Sequence, residues 1–490
     1  MSTDTLIDAL RAAVGRSHVL CAADGADLSA YEQDWRRRHR GRARCVVRPG
    51  STDEVAAVVR LCAAHAAPIV PQGGNTGLVV GGVPDASGNQ VVLSLQRLNR
   101  VCALDADNLT LTVEAGCVLQ TAQQAAQAAG LWLPLSLASE GSCTIGGVLA
   151  TNAGGTQVLR FGNARDLCLG LEVVTADGQI CNGLRGLRKD NTGYDLRHLF
   201  IGSEGTLGII TAAVLKLVPQ PAAQLTAWAA VPSLQAAVAL LGLTQRKLGP
   251  TLTGFEMMNA YALELVARHF PDRQPPLQDR APYAVLLEVA DVEGEVHARA
   301  RLEATLAEAM EADVATDAVV ATSLAQARAL WHIRESIPLA QAQEGLNVKH
   351  DISLPVSRIP AFCAEAEAAL QGAVPGARLV NFGHLGDGNL HFNVQCPAGA
   401  DAAAFLHRYE ATVNTLVFDA VARHGGSISA EHGIGSLKAA ILPRYQDSVA
   451  LALMQRIKHA LDPQGLLNPG RVLVEARLPA SAAPAASARG

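Results

Sequence analysis

Glycine-rich segments restrict this chain more than any other feature of its sequence. The first runs from Pro71 to Gly82, contains five glycines and follows an apolar, strand-like run. Because glycine has no Cβ, successive backbone N–H groups in such a loop can converge on an anion, in the nest geometry that phosphates favour. Leu78 stands where a P-loop needs Lys, and no G-x-G-x-x-G fingerprint opens a helix after a predicted strand. The loop is therefore interpreted either as a phosphate cradle of another kind or as a glycine-rich turn without chemistry.

Two further segments are dominated by small residues. They span residues 134–155 and 202–211 and have too little bulk to build a core of their own. Segments of this kind usually let a large, flat group lie against the backbone. Together with the first loop they indicate a cofactor domain in the first half of the chain.

The composition excludes several classes of function. The 490 residues allow two or three domains, and a formal net charge of −5 leaves no electrostatic footprint for nucleic acid. No window of about eighteen apolar residues predicts a membrane-spanning helix, and the acidic N-terminus lacks the basic region of a signal peptide. The ten cysteines are dispersed without a C-x-x-C pair, as is typical of reduced, mostly buried cysteines. We therefore expect a cytoplasmic protein with no nucleic-acid partner.

The chain is predicted to have four parts. They are an N-terminal helical segment at residues 1–42, a cofactor domain at 43–219, a second domain at 220–473 and a disordered tail at 474–490. Prolines at 219 and 221 mark the main boundary, since proline interrupts helices and strands alike. Within the first domain, the patterns predict helices from Ser51 to about Ala64 and from Leu119 to Gly130, and strands at 91–95, 109–115 and 213–218.

The second domain shows long Ala-rich helical patterns separated by apolar strands. Examples of the strands are residues 283–289 and 346–354. This alternation predicts an antiparallel sheet with helices on one side.

Two histidines surround a Gly-Asp-Gly-Asn turn in the second domain. If the segment after the turn is a strand, its period of two puts His391 and Asn393 on one face, and His384 could meet them across the turn. Glu431 and His432 arrive later as an adjacent pair. Two imidazoles and a carboxylate are a familiar ligand set for a divalent metal, but a hydrogen-bonded hairpin explains the same spacing. Both interpretations stay open at this level.

Positive charges at two places could meet an anionic ligand. Residues 35–44 form a basic run, interpreted either as a solvated loop or as an entrance that attracts an anionic substrate. Arg334 lies in a helical pattern, where its guanidinium could hold a carboxylate through two parallel hydrogen bonds or form a surface ion pair.

The small-residue segments carry a resemblance to a known family. It rests on the cradle and on three motifs: Gly141-Ser-Cys-Thr-Ile-Gly-Gly147, Asn152-Ala-Gly-Gly155 and Gly202-Ser-Glu-Gly-Thr-Leu-Gly208. These motifs resemble the FAD-binding domain of the vanillyl-alcohol oxidase/PCMH flavoprotein superfamily. Within it, the chain from about residue 48 to 473 is similar to the FAD-binding D-2-hydroxyacid dehydrogenases, which include D-2-hydroxyglutarate and D-lactate dehydrogenases and the glycolate oxidase flavin subunit.

The resemblance implies an α+β fold with a PCMH-type FAD-binding domain. An antiparallel-sheet α+β substrate or cap domain and a C-terminal helical segment would follow it. The residues that would surround the FAD are Pro71, Gln72, Gly73, Gly74, Asn75, Thr76, Gly77, Gly141, Ser142, Cys143, Thr144, Gly147, Asn152, Gly154 and Ile210. Relatives that attach flavin covalently often place a His near the position of Asn75, whose amide cannot form that bond. We therefore predict that the FAD is bound non-covalently.

The same resemblance assigns catalytic roles in the second domain. His384, His391 and Glu431 match the residues that hold a divalent metal in the family, usually zinc, although affinity order alone would not select zinc over manganese or cobalt. His432 matches the family's general base, which would remove the hydroxyl proton while hydride leaves C2 for the flavin N5.

Substrate positioning is implied in the same way. Arg334 and Lys349 would hold the distal carboxylate of D-2-hydroxyglutarate, and Asn393 would orient the near end of the substrate. Pro338 departs from the pattern, because those dehydrogenases carry a Thr hydroxyl four residues after the Arg. This departure concerns the choice of substrate and leaves the type of reaction unchanged.

The predicted activity is therefore the oxidation of a D-2-hydroxy acid by an FAD- and metal-dependent dehydrogenase. D-2-hydroxyglutarate is the first candidate substrate, and D-lactate or a broad D-2-hydroxyacid specificity is the alternative. A same-fold FAD-dependent transferase and a metal-dependent hydrolase are the other classes considered. No motif identifies the electron acceptor, which could be a quinone, an electron-transfer flavoprotein or oxygen. A homodimer is expected only from the family.

Overall fold

The computed structural model describes residues 4–277 and 281–474, and it confirms the α+β class. In the first part of the chain the helices are α1 (Thr5–Val14), α2 (Ser29–Glu32), α3 (Thr52–Ala64), α4 (Leu119–Ala128), α5 (Ile145–Thr151), α6 (Val158–Phe161), α7 (Ala164–Leu167) and α8 (Arg197–Phe200). The strands of this part are β1 (Val19–Leu20), β2 (Ala43–Val47), β3 (Ile69–Gln72), β4 (Gln90–Ser94), β5 (Val101–Asp105), β6 (Thr110–Glu114), β7 (Leu131–Trp132), β8 (Cys168–Val174), β9 (Ile180–Gly183), β10 (Ile209–Lys216) and β11 (Val218–Pro219).

Two larger sheets organise the first domain. The four-stranded sheet has the order β1-β2-β4-β3, with β2, β3 and β4 parallel, and the five-stranded sheet is antiparallel in the order β5-β6-β10-β8-β9. Strands β2 and β4 are buried almost throughout, as expected of a parallel sheet covered on both faces. The helix predicted from Ser51 is confirmed as α3, because Ser51 Oγ accepts the N–H of Glu54 as an N-cap.

The second part of the chain alternates strands with longer helices. Its strands are β12 (Ala223–Val231), β13 (Leu252–Asn259), β14 (Tyr283–Asp291), β15 (Asp317–Val320), β16 (Asn347–Val348), β17 (Asp351–Ser353), β18 (Arg378–His384) and β19 (Asn389–Gln395). Its helices are α9 (Leu234–Leu248), α10 (Ala260–His269), α11 (Glu295–Glu311), α12 (Leu324–Glu344), α13 (Ile359–Ala373), α14 (Ala402–Arg423), α15 (Leu442–Tyr445) and α16 (Ser448–Leu461).

An eight-stranded antiparallel sheet forms the centre of the second domain. Its order is β15-β12-β14-β13-β18-β19-β16, and β17 pairs with β19 beside β16. The prediction of helices on one side is wrong, because both faces are apolar and covered. Trp228 and its face of β12 pack under α10 and α12, whereas Ala227 and Ala229 face a second core that contains α9, α11, α13 and α14.

The predicted strand 346–354 is interrupted at Lys349 and His350, which leaves the two short strands β16 and β17. The reason is a side-chain contact, since the His350 N–H donates to Asn393 Oδ1 at 3.0 Å.

The end of the described chain returns to the first domain, which the division at 220–473 did not predict. Leu466 and Leu467 are buried in the same core as Leu6 and Leu10 of α1. Ile69 N–H donates to Leu466 O at 2.8 Å, so this segment extends the sheet edge beside β3. Residues 475–490, most of the predicted tail, lie outside the described part of the chain. Among the described residues, no helix combines the length and apolarity needed to cross a bilayer.

Candidate active site

The predicted cradle follows β3 and lies against residues 142–144. A Cβ on Gly73 would come within 2.3 Å of Thr144 Oγ1, and one on Gly74 within 2.1 Å of Ser142 O, so only glycine permits this approach. Thr144 Oγ1 is buried and has no hydrogen-bond partner among the described residues. An unpartnered hydroxyl beside a glycine-rich loop fits the phosphates of a dinucleotide cofactor.

The side chains of the predicted FAD residues do not all face the cradle. Asn75 Nδ2 donates to Gln33 O at 2.9 Å, and Gln72 Nε2 donates to Tyr31 O at 3.0 Å, so both amides hold the N-terminal segment in place. Asn152 ends α5 in the left-handed conformation. Gly147 faces the same hydroxyl as Gly73, since a Cβ there would lie 3.5 Å from Thr144 Oγ1. The roles of Pro71, Thr76, Gly77, Gly141, Ser142, Cys143, Gly154 and Ile210 at the flavin stay predictions, and Ile210 lies in the buried core.

The structure brings the three predicted metal ligands together. One ligand atom each from His384, His391 and Glu431 lies within 4.8 Å of the others. The strand register explains the two histidines, because Phe382 of β18 pairs with His391 of β19 and the hairpin turn then brings His384 to the same face. Burial, and then the charge of Asp351, raise the pKa of Glu431 to about 8. A buried carboxyl facing two imidazoles is a donor set that fits a divalent cation.

Glu256, on β13, connects this cluster to Arg334 and was missed by the sequence analysis. The register pairs it with His384, whose Nδ1 lies 2.5 Å from Glu256 Oε1, and Arg334 Nε donates to Glu256 Oε2 at 2.7 Å. Burial raises the pKa of Glu256, but the charges of His384 and Arg334 outweigh it and lower the pKa to about 2. Glu256 thereby orients the imidazole so that its Nε2 can bind a metal. Carboxylates commonly orient metal-binding histidines in this way.

Asp351, on β17, plays the same part for His432 and was also missed. Its Oδ2 accepts the backbone N–H groups of Glu431 at 3.0 Å and His432 at 2.9 Å, and it lies 3.4 Å from His432 Nδ1. Burial lowers the pKa of His432 and Asp351 opposes that effect. The arrangement presents His432 Nε2 as a proton acceptor. Asp351, Glu431 and His432 form an overlapping group of possible ligands, but both Asp351 oxygens already accept hydrogen bonds.

The three predicted substrate residues have different surroundings. Arg334 is buried, stacks over the Phe382 ring at 4.7 Å and uses only Nε in the bonds described, which leaves its two terminal nitrogens without a partner among the described residues. Lys349 is exposed and has no ion-pair partner among the described residues, and desolvation by the protein atoms around it, followed by the charge of Arg36, lowers its pKa. Both cations are therefore able to receive a carboxylate.

Asn393 is held by hydrogen bonds inside the second domain. Its Nδ2 donates to Gln341 Oε1 of α12 at 3.0 Å, and its Oδ1 accepts the N–H of His350. Its Nδ2 has a second hydrogen and its Oδ1 a second lone pair, so the contact between Asn393 and a substrate stays a prediction. Its role is to join β19 to α12, the helix that carries Arg334.

The first domain reaches the loop that carries His432. Glu204, in the third glycine-rich motif, accepts the N–H of Ile434 at 2.7 Å and the N–H of Gly435 at 2.8 Å. A Cβ on Gly433 would meet Glu204 Oε1 at 2.6 Å. Burial raises the pKa of Glu204, and the two N–H groups oppose that effect. The segment predicted to bind flavin is thus bonded directly to the segment predicted to carry the base.

Comparison with known proteins identifies the family. The FAD binding domain family matches residues 43–183, and the family described as FAD linked oxidases, C-terminal domain, matches residues 220–472. A D-2-hydroxyglutarate dehydrogenase of Xanthomonas citri pv. viticola is 42% identical over 447 residues, which cover 91% of this chain and 93% of that protein. The mitochondrial D-2-hydroxyglutarate dehydrogenase of Bos taurus is 39% identical over 451 residues, which cover 92% of this chain and 80% of that protein.

A solved structure supports the architecture independently. The crystal structure of p-cresol methylhydroxylase with bound substrate has a TM-score of 0.74, 16% sequence identity and coverage of 96% of both chains. At this identity the likeness concerns the fold alone. The extensive identity to the curated relatives decides the family: the chain belongs to the FAD-linked oxidases, as an FAD-dependent oxidoreductase related to the D-2-hydroxyglutarate dehydrogenases.

Proposed function

We propose that this protein oxidises a D-2-hydroxy acid to the 2-oxo acid and that its substrate is D-2-hydroxyglutarate. We further propose that it uses a divalent metal, with zinc as the first candidate, as a second cofactor beside FAD. The observation that carries the proposal is the convergence of His384, His391 and Glu431 on one point next to His432. The names of the two curated relatives support the same substrate.

Each group has a defined task in this proposal. When bound, the metal would lower the pKa of the substrate hydroxyl and FAD would accept the hydride. His432 accepts the hydroxyl proton at Nε2, and Asp351 holds its Nδ1 side. Arg334 offers its terminal nitrogens, and Lys349 its ammonium group, to a carboxylate.

The test is anaerobic bleaching of the bound flavin's visible absorption by D-2-hydroxyglutarate and by D-lactate, each with and without prior chelation. Rapid bleaching by D-2-hydroxyglutarate, slower bleaching by D-lactate and loss of both after chelation are the expected results. Equally rapid bleaching by D-lactate would mean that the enzyme accepts D-2-hydroxy acids broadly and is not specific for D-2-hydroxyglutarate. If bleaching persisted after all metal had been removed, as verified by elemental analysis, the proposed metal dependence would be refuted.

Three further properties stay predictions. They are the electron acceptor, a homodimer and a cytoplasmic location. Steady-state assays with a soluble quinone and with an electron-transfer flavoprotein, sedimentation analysis and cell fractionation test them separately.

A further inference from the structure

The loop from Asp34 to His39 lies between the two domains. The Asp34 carboxylate accepts the backbone N–H groups of Arg36 at 3.1 Å and His39 at 2.6 Å, which folds the loop into a compact turn. Arg38 binds both oxygens of Glu410 on α14, at 3.1 and 3.2 Å. The basic run of the N-terminal segment is therefore fastened to the second domain.

The segment that carries Lys349 is fastened to the same helix one turn away. His350 Nε2 lies 3.0 Å from Asn414 Oδ1. Glu410 and Asn414 are four residues apart on α14, so their side chains are neighbours on one face, with Cβ atoms about 5–6 Å apart. The loop of Arg36 and the segment of Lys349 consequently meet at adjacent points.

The Arg36 side chain is held in place without being neutralised. Its Nη2 donates to Leu78 O at 2.9 Å, at the end of the cradle, while its Nε is buried without a hydrogen-bond partner among the described residues. The neighbouring Val79 O accepts the N–H of Ser436, four residues after His432. The guanidinium thus lies between the cradle and the loop that carries the candidate base.

Electrostatics agree with this placement. Desolvation by the surrounding protein atoms, and then the charge of Arg36, lower the pKa of Lys349. Among the described residues, no carboxylate forms an ion pair with Arg36 or Lys349, although the charges of Asp34 and Glu410 partly offset the charge of Arg36. The positive charges of Arg36 and Lys349 repel each other, and an anion bound by both would remove that repulsion.

We propose that Arg36 binds the distal carboxylate of the substrate together with Lys349, and that it thereby selects dicarboxylic over monocarboxylic 2-hydroxy acids. This inference rests on the proposed function and adds to it a residue from the N-terminal segment. A carboxylate has two oxygens, so it can accept hydrogen bonds from a guanidinium and an ammonium group at once.

The test compares wild type, Arg36→Gln, Arg36→Lys and the matched control Arg40→Gln. Arg40 lies in the same basic run, but its side chain is 62% exposed and faces Glu32 at 3.6 Å. Four quantities are measured: kcat/KM for D-2-hydroxyglutarate, kcat/KM for D-lactate, bound flavin per chain, and calorimetric Kd values for 2-oxoglutarate and 2-oxobutyrate.

We expect Arg36→Gln to reduce the preference for D-2-hydroxyglutarate over D-lactate about 10- to 100-fold, mainly through KM, as for loss of a hydrogen bond between charged groups. The Kd of 2-oxoglutarate should rise by a similar factor while that of 2-oxobutyrate stays unchanged. The preference of Arg36→Lys for D-2-hydroxyglutarate should lie between those of wild type and Arg36→Gln. The preference of Arg40→Gln should match that of wild type.

Results of two kinds would overturn the inference and leave the proposed function intact. One is an equal loss for both acids or no loss at all. The other is a fall in bound flavin, which would assign Arg36 to the cofactor phosphate instead. If wild type oxidised neither acid, the proposed function would fail, and the calorimetric comparison would still decide whether Arg36 discriminates between the two keto acids.

Discussion

At the scale of single residues, Glu256 is the group on which both sides of the candidate site depend. Its two oxygens serve the guanidinium of Arg334 and the imidazole of His384, and its side chain is completely buried. Glu256→Gln would leave Arg334 without its counter-charge and His384 without the carboxylate that orients its ring. Removing one member of a buried ion pair typically costs about 3–5 kcal/mol, and we expect a fall of that order in the free energy of unfolding. Metal titration should show about 10- to 100-fold weaker binding.

Glu288→Gln is the matched control for that substitution. Glu288 lies on the same sheet face and accepts hydrogen bonds from Thr253 Oγ1 at 3.1 Å and Trp331 Nε1 at 3.2 Å, both neutral donors. Burial raises its pKa. In Glu288→Gln the amide oxygen can still accept from Trp331 Nε1, while the amide nitrogen can donate to the hydroxyl of Thr253, which is also an acceptor. Denaturant unfolding should therefore show a small change. A Glu256→Gln protein as stable as the Glu288→Gln protein would mean that the ion pairs of Glu256 do not hold the site.

Short polar motifs made His384, His391, Glu431 and His432 candidates, and the family resemblance assigned their roles. Glu256 lies alone in an apolar strand pattern, 128 residues from His384, and only the register of β13 against β18 brings the two together. The only sequence pattern that could have indicated Glu256 was a charged residue within an otherwise apolar strand. It marks a residue that must have a partner, but it does not say which one.

At the scale of the elements, α12 ends in a carboxylate that the helix dipole disfavours. Glu344 is the last residue of this helix, where a negative charge meets the negative end of the dipole. It is held by tertiary contacts instead: Arg378 Nη1 at 2.6 Å from β18, and His269 Nε2 at 2.9 Å from α10. These contacts fix the end of the helix that carries Arg334.

Glu344 makes stability depend on pH in a stated direction. Burial raises its pKa, but its bonds to His269 and Arg378 outweigh burial and lower the pKa from 4.5 to about 2. A lowered folded-state pKa adds stability that is present above pH 4.5 and is lost as the pH falls toward 2. We expect Glu344→Gln to lower the free energy of unfolding by about 2–3 kcal/mol at pH 7, with the difference from wild type shrinking below pH 4.

The control for Glu344 is Glu311→Gln at the end of α11, where the side chain is exposed. Its unfolding free energy should follow wild type at every pH. A Glu344→Gln deficit that stayed constant down to pH 2 would contradict an electrostatic origin.

Elements with strong local signals were predictable. The N-cap at Ser51 set the start of α3, and the apolar run at 283–289 became β14. The layer arrangement was not predictable in the same way. Strand β12 is buried on both faces, and a strand buried on both faces has no alternation from which the number of covering layers could be inferred.

At the scale of the whole molecule, Glu204 connects the two domains at the candidate site. Its carboxylate holds the N–H groups of Ile434 and Gly435, two and three residues after His432. Glu204→Gln places an amide donor opposite one of these N–H groups. We expect kcat to fall about tenfold or more because the loop is no longer fixed, with bound flavin per chain unchanged. Stopped-flow flavin reduction measures the step directly.

Ser436→Ala is the control, because it removes a neighbouring contact between the domains, from Ser436 Oγ to Val80 O at 3.4 Å, and leaves the Glu204 bonds intact. It should reduce flavin as fast as wild type. Equal slowing in both variants would mean that any loss of contact between the domains is sufficient, and that Glu204 has no particular role in the loop.

The two prolines predict a boundary near Pro219, but no sequence pattern predicts the return of residues 466–468 to the first domain. Local patterns describe the segment itself, whereas its destination depends on an apolar edge at Ile69 that lies far away along the chain. The two family matches, to residues 43–183 and 220–472, do not show this return either. They divide the chain into two consecutive parts, whereas the end of the second part packs in the first domain.

This interleaving has a consequence for the order in which the protein can be made. Leu466 and Leu467 complete the core of the first domain, and Asn468 Nδ2 donates to Gly81 O and Glu204 O. When only the first 219 residues have been synthesised, the first domain therefore lacks part of its core and the support behind its cradle. The core behind the cofactor cradle can therefore be completed only after residues 466–468 have been synthesised.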